Sequence, residues 1–203
     1  MTKPVLYGAS ISRALRSIWA IEETGIDYDH VPTNYMEQSK TQEYLAVNPN
    51  GRVPTLVDGD LVLFESMAIN LYLAKTYGGD LYPADPGDQA RAVQWSVWGI
   101  SEIEPLQMRI VIQKLFVPED KRDPKIIESA IKGLQRPLGV LDRLFAAQPY
   151  LLGDEFTIAD LNLAGVMALL KQTKTDYTEH ANVTRWAKAC YDRPAYARAR
   201  AKD

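Results

Sequence analysis

The sequence predicts two structural parts, an α/β domain built on a mixed sheet and an all-helical domain that follows it. Short apolar runs rich in β-branched residues alternate with helical periodicity up to residue 79, and almost all of the later sequence has helical periodicity. The segment 80–88 contains two prolines and no periodicity, which is typical of a linker. We therefore expect domains at residues 1–79 and 89–203.

The first domain is expected to have the element order βαβ followed by ββα. Val5–Tyr7 and residues 28–31 are strand candidates on either side of residues 13–23, whose apolar side chains have helical spacing. This order favours a right-handed parallel crossover. Two more apolar runs surround the turn 58–60 and predict an antiparallel hairpin, after which Ser66–Tyr77 is expected to be a helix. A mixed sheet flanked by helices follows from this order.

The second domain is expected to be a helical bundle. Four helical patterns follow one another, with a short last piece at 195–201; they cover residues 89–116, 124–147, 157–171 and 183–191. Pro105 is expected to bend the first pattern, and Pro137 to kink or interrupt the second. The basic run 193–202 is expected to be a solvated tail.

Composition and charge exclude several classes of function. The net charge is −3, so the clustered Lys and Arg of a nucleic-acid groove are not expected. No apolar run reaches the ~18 residues of a membrane span, and the start of the chain lacks a secretory signal, so cytoplasm is the expected location. Cys190 is the single cysteine and there are two histidines, so neither a redox CxxC motif nor a metal site is expected. A thiol–disulfide oxidoreductase would need a cysteine in the first βα turn, and residues 8–16 contain none.

Three local signatures, in this order, resemble the cytosolic glutathione transferase family. They are SRALRSIWAIEETG at 12–25, NPNGRVPTL at 48–56 followed by FESMAINLYL at 64–73, and FTIAD at 156–160. The resemblance covers the whole chain and implies a thioredoxin-like N-terminal domain, glutathione as co-substrate and a homodimer. The chain looks like a serine-type bacterial member, with no class assigned. Thr157 and Asp160 match a capping box, which stabilises the fold and takes no part in catalysis.

The resemblance implies that a serine hydroxyl stabilises the glutathione thiolate. Ser12 lies where the first strand passes into its helix, so its hydroxyl and the helix N–H groups can face one sulfur. Ser10 is the alternative, and Tyr7 is a weaker rival inside the strand. The alternative interpretation of Ser12 is purely structural: it is well placed to cap the helix.

The middle signature implies the residues that bind glutathione. Val53–Pro54 resembles the cis-proline junction of the family, whose backbone can pair with the cysteinyl part of glutathione. Arg52 is implied to reach the glycine carboxylate. Ser66 is expected to cap a helix whose N-terminus holds the γ-glutamyl carboxylate, and Glu65 to meet the ammonium group.

The electrophile pocket is expected between the domains. The candidates are Tyr7, Ile11, Trp98, Glu102 and Met108, although aromatic and Met residues at helical spacing often belong to a core. The leading function is a transferase that activates the glutathione thiolate to attack a small hydrophobic electrophile. The alternative is a non-catalytic binding or regulatory protein with the same fold.

Overall fold

The computed structural model describes residues 3–202, which form two compact units. One unit comprises residues 3–86 and 192–202, and the other comprises residues 87–191. No helix within the described range is long and apolar enough to cross a bilayer.

A four-stranded mixed sheet forms the centre of the first unit. Its strands are β1 (Val5–Tyr7), β2 (Asp29–Val31), β3 (Thr55–Asp58) and β4 (Leu61–Phe64). They lie in the order β2-β1-β3-β4, with β1 parallel to β2 and antiparallel to β3, and with β3 antiparallel to β4. Leu6 pairs with Leu56 across the middle of the sheet, and both are fully buried. The predicted βαβ–ββα order and the mixed sheet are confirmed.

Three helices accompany the sheet: α1 (Ala14–Thr24), α2 (Gln42–Val47) and α3 (Ser66–Tyr77). α1 packs against α3, and the large apolar side chains that they bury fully are those of Ile18, Trp19, Ile21, Ile69 and Leu73. α1 ends at Gly25, whose φ of 69° is the left-handed conformation that glycine adopts without a steric penalty. The apolar spacing seen in the sequence is therefore the buried face of α1.

The second unit is helical, as expected. Its helices are α4 (Pro86–Trp98), α5 (Glu104–Val111), α6 (Pro124–Ala147), α7 (Ile158–Gln172) and α8 (Ala181–Tyr191). α7 is buried over most of its length and packs against α5 and α8, while α6 packs against the same two helices. Phe145 and Trp186 stack at 4.7 Å where α6 meets α8.

Pro105 and Pro137 both lie inside helices of the second unit. Pro105 lies in the first turn of α5, directly after the widened turns of the π-helical segment Gly99–Ile103, and the bend expected there stays a prediction. α6 continues through Pro137, and the expected interruption there was wrong. Pro137 is buried together with Leu134, Leu138 and Leu141, so packing offsets the ~3 kcal/mol that proline costs inside a helix.

The last helix, α9 (Pro194–Arg200), belongs to the first unit instead of the helical domain in which we expected it. It packs on α1, with the Trp19 and Tyr196 rings 4.8 Å apart. Arg198 also binds Glu22 at 2.7 Å, and Arg193 binds Glu23 at 2.6 Å. The basic run is therefore no solvated tail, because Arg193 and Arg198 pair with two acids in the last turn of α1.

The predicted capping box at the start of α7 is confirmed. The Asp160 carboxylate accepts the Thr157 N–H at 3.1 Å, and Thr157 Oγ1 accepts the Ala159 N–H at 3.3 Å. Asp160 is fully buried and also accepts from Leu151 N–H at 2.8 Å and from Trp186 Nε1–H at 2.9 Å. This carboxylate therefore ties the start of α7 to a loop and to α8.

Candidate active site

Gly8 makes the sharp turn by which the chain leaves β1. Its φ is +139°, and a Cβ atom there would lie 2.3 Å from Ala14 Cβ and 3.3 Å from Val53 Cβ. The Gly8 N–H donates to the Val31 carbonyl at 3.1 Å, and the Gly8 carbonyl lies 2.7 Å from His30 Nε2. The missing side chain therefore allows the start of α1 and Val53 to approach the end of β1.

The turn 9–13, which we call the serine turn, carries both candidate serines. Ser12 is half-buried, and its Oγ donates to the Ala9 carbonyl at 2.7 Å and accepts the Ala14 N–H at 3.1 Å. The Ala9 carbonyl also accepts the Ser12 N–H at 3.0 Å. Ser10 is more buried, with 8% of its surface exposed. Arg13 occupies the cap position before α1, so Ser12 is not the cap residue itself, but its Oγ satisfies the N–H of the first helical residue, Ala14.

The Val53–Pro54 peptide is cis, as the resemblance implied. Val53 is buried, and within residues 3–202 neither its N–H nor its carbonyl takes part in a hydrogen bond. The Arg52 side chain is exposed. The Lys40 ammonium donates to the Gly51 carbonyl, which brings a second cation to this loop. Nothing in the sequence analysis pointed to Lys40.

Two residues that the sequence analysis missed hold the loop on both sides of Pro54. The Tyr44 hydroxyl donates to the Arg52 carbonyl at 2.6 Å and lies 2.7 Å from Thr55 Oγ1. Asn48 Nδ2 donates to the same two oxygens, at 2.9 Å each. Burial raises the pKa of Tyr44, so its hydroxyl keeps its proton and remains a donor. The signal for Asn48 was its place in the NPNGRVP motif, whereas Tyr44 looked like an ordinary helix residue.

The passage from β4 into α3 is made by Glu65, which has φ 72° and ψ 113°. Such a backbone conformation costs a residue other than glycine ~1–3 kcal/mol and is concentrated at functional sites. Glu65 occupies the position before the helix, and Ser66 is the first helical residue, so the expectation that Ser66 caps α3 was wrong. The position that precedes α3 is therefore one residue earlier than the sequence suggested. The Glu65 side chain is exposed, while Ser66 is 6% exposed.

The serine turn, the loop around Pro54 and the passage into α3 all adjoin one row of paired residues in the sheet. Tyr7, Thr55 and Phe64 pair with one another across β1, β3 and β4. The chain continues from Tyr7 into the serine turn, enters Thr55 from Pro54, and continues from Phe64 to Glu65. Ser10 and Ser12, Arg52 to Pro54, and Glu65 with Ser66 therefore meet at one edge of the sheet. This edge offers backbone polar groups, serine hydroxyls, a positive charge from Arg52 and a negative charge from Glu65, and together these groups suit a small peptide.

The electrophile candidates divide between the two units. Tyr7 lies in β1 with its ring 5.9 Å from that of Tyr44, and Ile11 is 68% exposed in the serine turn. Trp98, Glu102 and Met108 belong to the other unit, where all three are half-buried. Glu102 is already paired with Arg136. The pocket itself remains a prediction.

Comparison with known proteins identifies the family. Residues 5–75 match the glutathione S-transferase N-terminal domain, and residues 103–194 match the glutathione S-transferase C-terminal domain. The chain belongs to the glutathione S-transferase family. Family membership supports glutathione S-transferase activity and confirms the resemblance seen in the sequence. It also confirms the expected fold class, a thioredoxin-like domain with a helical domain.

Relatives of this transferase match it over nearly their whole lengths. Glutathione S-transferase 3 of Zea mays is 35% identical over 208 residues, covering 94% of this chain and 90% of that protein. GstB of Escherichia coli K12 is 33% identical, covering 94% of both chains. The theta class glutathione S-transferase of Xanthomonas axonopodis pv. citri, solved with glutathione bound, is 32% identical with a TM-score of 0.90, covering 100% of this chain and 99% of that one.

The candidate site shows no cluster of metal ligands among the residues that the structure describes. Within residues 3–202 no group of three or more His, Cys, Asp or Glu side chains could hold a metal ion. Cys190 is fully buried in α8.

Proposed function

We propose that this protein binds glutathione at the edge of its sheet and activates the thiolate to attack a small hydrophobic electrophile. The observation that carries the proposal is the meeting of three segments at the row formed by Tyr7, Thr55 and Phe64. Family membership and the glutathione bound to the Xanthomonas relative support the same ligand. The non-catalytic alternative is not favoured, because Ser12, Pro54, Glu65 and Ser66, whose loss would favour it, are all present, and the relatives that match nearly the whole chain are glutathione transferases.

Each part of glutathione has a matching group in this edge. The N–H and carbonyl of Val53 suit the cysteinyl backbone, because they form no hydrogen bond within residues 3–202. The exposed Arg52 guanidinium suits the glycine carboxylate. The exposed Glu65 carboxylate suits the γ-glutamyl ammonium group, and the N–H groups that begin α3 at Ser66 suit the γ-glutamyl carboxylate.

Thiolate stabilisation is assigned in this proposal to Ser12, with Ser10 as the alternative. A free thiol has a pKa of ~8.5, and lowering it by two units requires ~2.7 kcal/mol of preference for the thiolate. A hydroxyl bonded to a charged sulfur contributes ~1.5–3 kcal/mol, and the start of α1 adds to it.

The hydrogen bonds of Ser12 suit this role. Its proton is now held by the Ala9 carbonyl, which also accepts the Ser12 N–H and so keeps a partner when the hydroxyl turns away. The Ala14 N–H bonded to Ser12 Oγ polarises the hydroxyl and strengthens it as a donor.

The electrophile pocket is proposed to use Tyr7, Ile11, Trp98, Glu102 and Met108. Ile11 is supported by its exposure in the serine turn. Met36 joins this set, since 65% of its surface is exposed in the segment after β2. Because β1 and β2 are parallel neighbours, the segments that follow them leave the same edge of the sheet.

A homodimer is proposed from the apolar surface that each unit exposes. The edge strand β4 exposes Leu61, Val62 and Phe64 by 39–42%. α4 and the turn after it expose Val93, Val97 and Ile100, which have helical spacing. Contiguous exposed apolar surface typically marks an interface. Sedimentation at micromolar concentration should give a dimer, and Val97→Glu should shift it toward monomer; a monomeric parent protein would refute the proposal.

A cytoplasmic location and a role in detoxification are proposed because glutathione is kept reduced in the cytosol. Fractionation of the source cells tests the location. The sensitivity of a deletion strain to chlorodinitrobenzene in the growth medium tests the role.

The decisive experiment compares conjugation of 1-chloro-2,4-dinitrobenzene by the parent protein, Ser12→Ala and Ser10→Ala. Ser12→Ala is expected to lower kcat by about 10- to 100-fold, the equivalent of a hydrogen bond to a charged group, with a smaller change in the KM for glutathione. Loss only in Ser10→Ala moves the role to that residue. Glutathione binding without turnover of any electrophile would favour the non-catalytic protein.

A further inference from the structure

The His30 side chain contacts a residue of the chain that lies beyond the end of β1. His30 lies in the middle of β2, where it pairs with Leu6 of the parallel neighbour β1. Its Nε2 lies 2.7 Å from the carbonyl oxygen of Gly8, which follows Leu6 by two residues. A carbonyl oxygen can only accept a hydrogen bond, so Nε2 carries the proton and donates it.

The carbonyl that His30 holds belongs to the peptide that begins the serine turn. The Gly8 carbonyl and the Ala9 N–H share one rigid plane, so holding one fixes the direction of the other. The next carbonyl, that of Ala9, accepts both the N–H and the hydroxyl of Ser12. The carbonyl that His30 contacts and the carbonyl that accepts the Ser12 hydroxyl therefore belong to consecutive residues, Gly8 and Ala9.

We propose that His30 is a positioning residue that holds Gly8 and the serine turn after it in the conformation that presents the serine hydroxyl to the glutathione sulfur. This inference rests on the serine role proposed above. Gly8 directly precedes the serine turn, and as a glycine it has wider backbone freedom than the residues that follow it. Its φ of +139° lies in a region that glycine enters readily. A hydrogen bond from a ring fixed in a strand removes that freedom.

Strand pairing alone does not account for the contact. β1 and β2 are joined through their backbones, and the Gly8 N–H continues this pairing to the Val31 carbonyl at 3.1 Å. The His30 ring acts on the other side of Gly8, on the peptide that leaves the sheet. Its effect is therefore directed at the turn.

The test compares His30→Leu with His30→Gln, whose side-chain amide can donate to the same carbonyl. His180 is the other histidine of the chain and lies in the other unit, so His180→Leu is the matched control. In His30→Leu we expect kcat for chlorodinitrobenzene to fall about five-fold, the equivalent of one hydrogen bond, with less than a two-fold change in the KM for glutathione. The rise of kcat/KM with pH should move to higher pH. His30→Gln should recover most of this loss, and His180→Leu should match the parent protein.

Hydrogen exchange at the amides of residues 9–12 adds a readout that does not depend on catalysis. Exchange should be faster in His30→Leu than in the parent protein or His30→Gln. Unchanged exchange and kinetics in His30→Leu, or equal loss in His30→Gln, would overturn the proposal. If His30→Leu speeds exchange while Ser12→Ala and Ser10→Ala both keep full activity, the serine role fails but the hold of His30 on the turn stands.

Discussion

Gly8→Ala tests whether the close approach at the end of β1 positions the site. The new Cβ would lie 2.3 Å from Ala14 Cβ, whereas carbon atoms in contact lie at least ~3.5 Å apart. The start of α1 must therefore retreat by roughly 1.2 Å (3.5 minus 2.3) unless the turn rearranges. A φ of +139° adds ~1–3 kcal/mol of strain for a residue with a side chain.

Because the serine turn lies between Gly8 and Ala14, a shift of this size misplaces the hydroxyl. A displacement of ~1 Å at a catalytic group can lower the rate by about 100-fold. The assays are kcat for chlorodinitrobenzene and the free energy of unfolding from urea denaturation. We expect kcat to fall by 10- to 100-fold and stability to fall by ~2 kcal/mol.

Gly139→Ala is the matched control for this substitution. Gly139 lies inside α6, and a Cβ there would meet only Arg143 at 3.8 Å, an ordinary contact distance. This variant should keep full activity and gain ~0.5–1 kcal/mol of stability, because alanine favours the helix. Full activity and unchanged stability in Gly8→Ala would refute the argument that a close backbone approach shapes the site.

Four further variants test the fold and the glutathione loop. Asp160→Ala should cost ~3 kcal/mol of unfolding free energy, against ~1 kcal/mol for Thr157→Ala, because the buried carboxylate accepts from two other segments besides its cap. Burial raises the pKa of Glu22, but hydrogen bonds from Arg198, Tyr28 and Lys202 outweigh it and hold that pKa below the ordinary 4.5. Glu22→Gln should therefore lower Tm near pH 7, and the difference from the parent protein should disappear as the pH falls below 4.5 through the lowered pKa. Asn48→Ala should raise the KM for glutathione about five-fold, the equivalent of one hydrogen bond, with little change in kcat.

The fold was largely predictable because its elements are short and bounded by strong local signals. Apolar periodicity gave α1, and the glycine turn at 58–60 gave the β3–β4 hairpin. The destination of α9 was not predictable in the same way. Its packing on Trp19 and its ion pairs with Glu22 and Glu23 join residues about 175 positions apart, and no local pattern encodes such a contact.

The candidate site was predictable in position but not in its supporting contacts. The motif around Pro54 and the serine turn located the two halves of the site, and the register of the sheet explains why they meet. The positive φ of Glu65 gave no signal, since a glutamate in that conformation is rare and only the surrounding structure can impose it. The reach of His30 to Gly8 was equally hidden, because it depends on pairing between strands separated in sequence.

A crystal structure of the glutathione complex tests the central claim most directly. We predict the glutathione sulfur within ~3.5 Å of Ser12 Oγ or Ser10 Oγ, with the Val53 backbone bonded to the cysteinyl part. In the Ser12 case the hydroxyl should have turned away from the Ala9 carbonyl. A sulfur more than ~5 Å from both serine oxygens, or a tripeptide bound away from the Val53–Pro54 loop, would contradict the account.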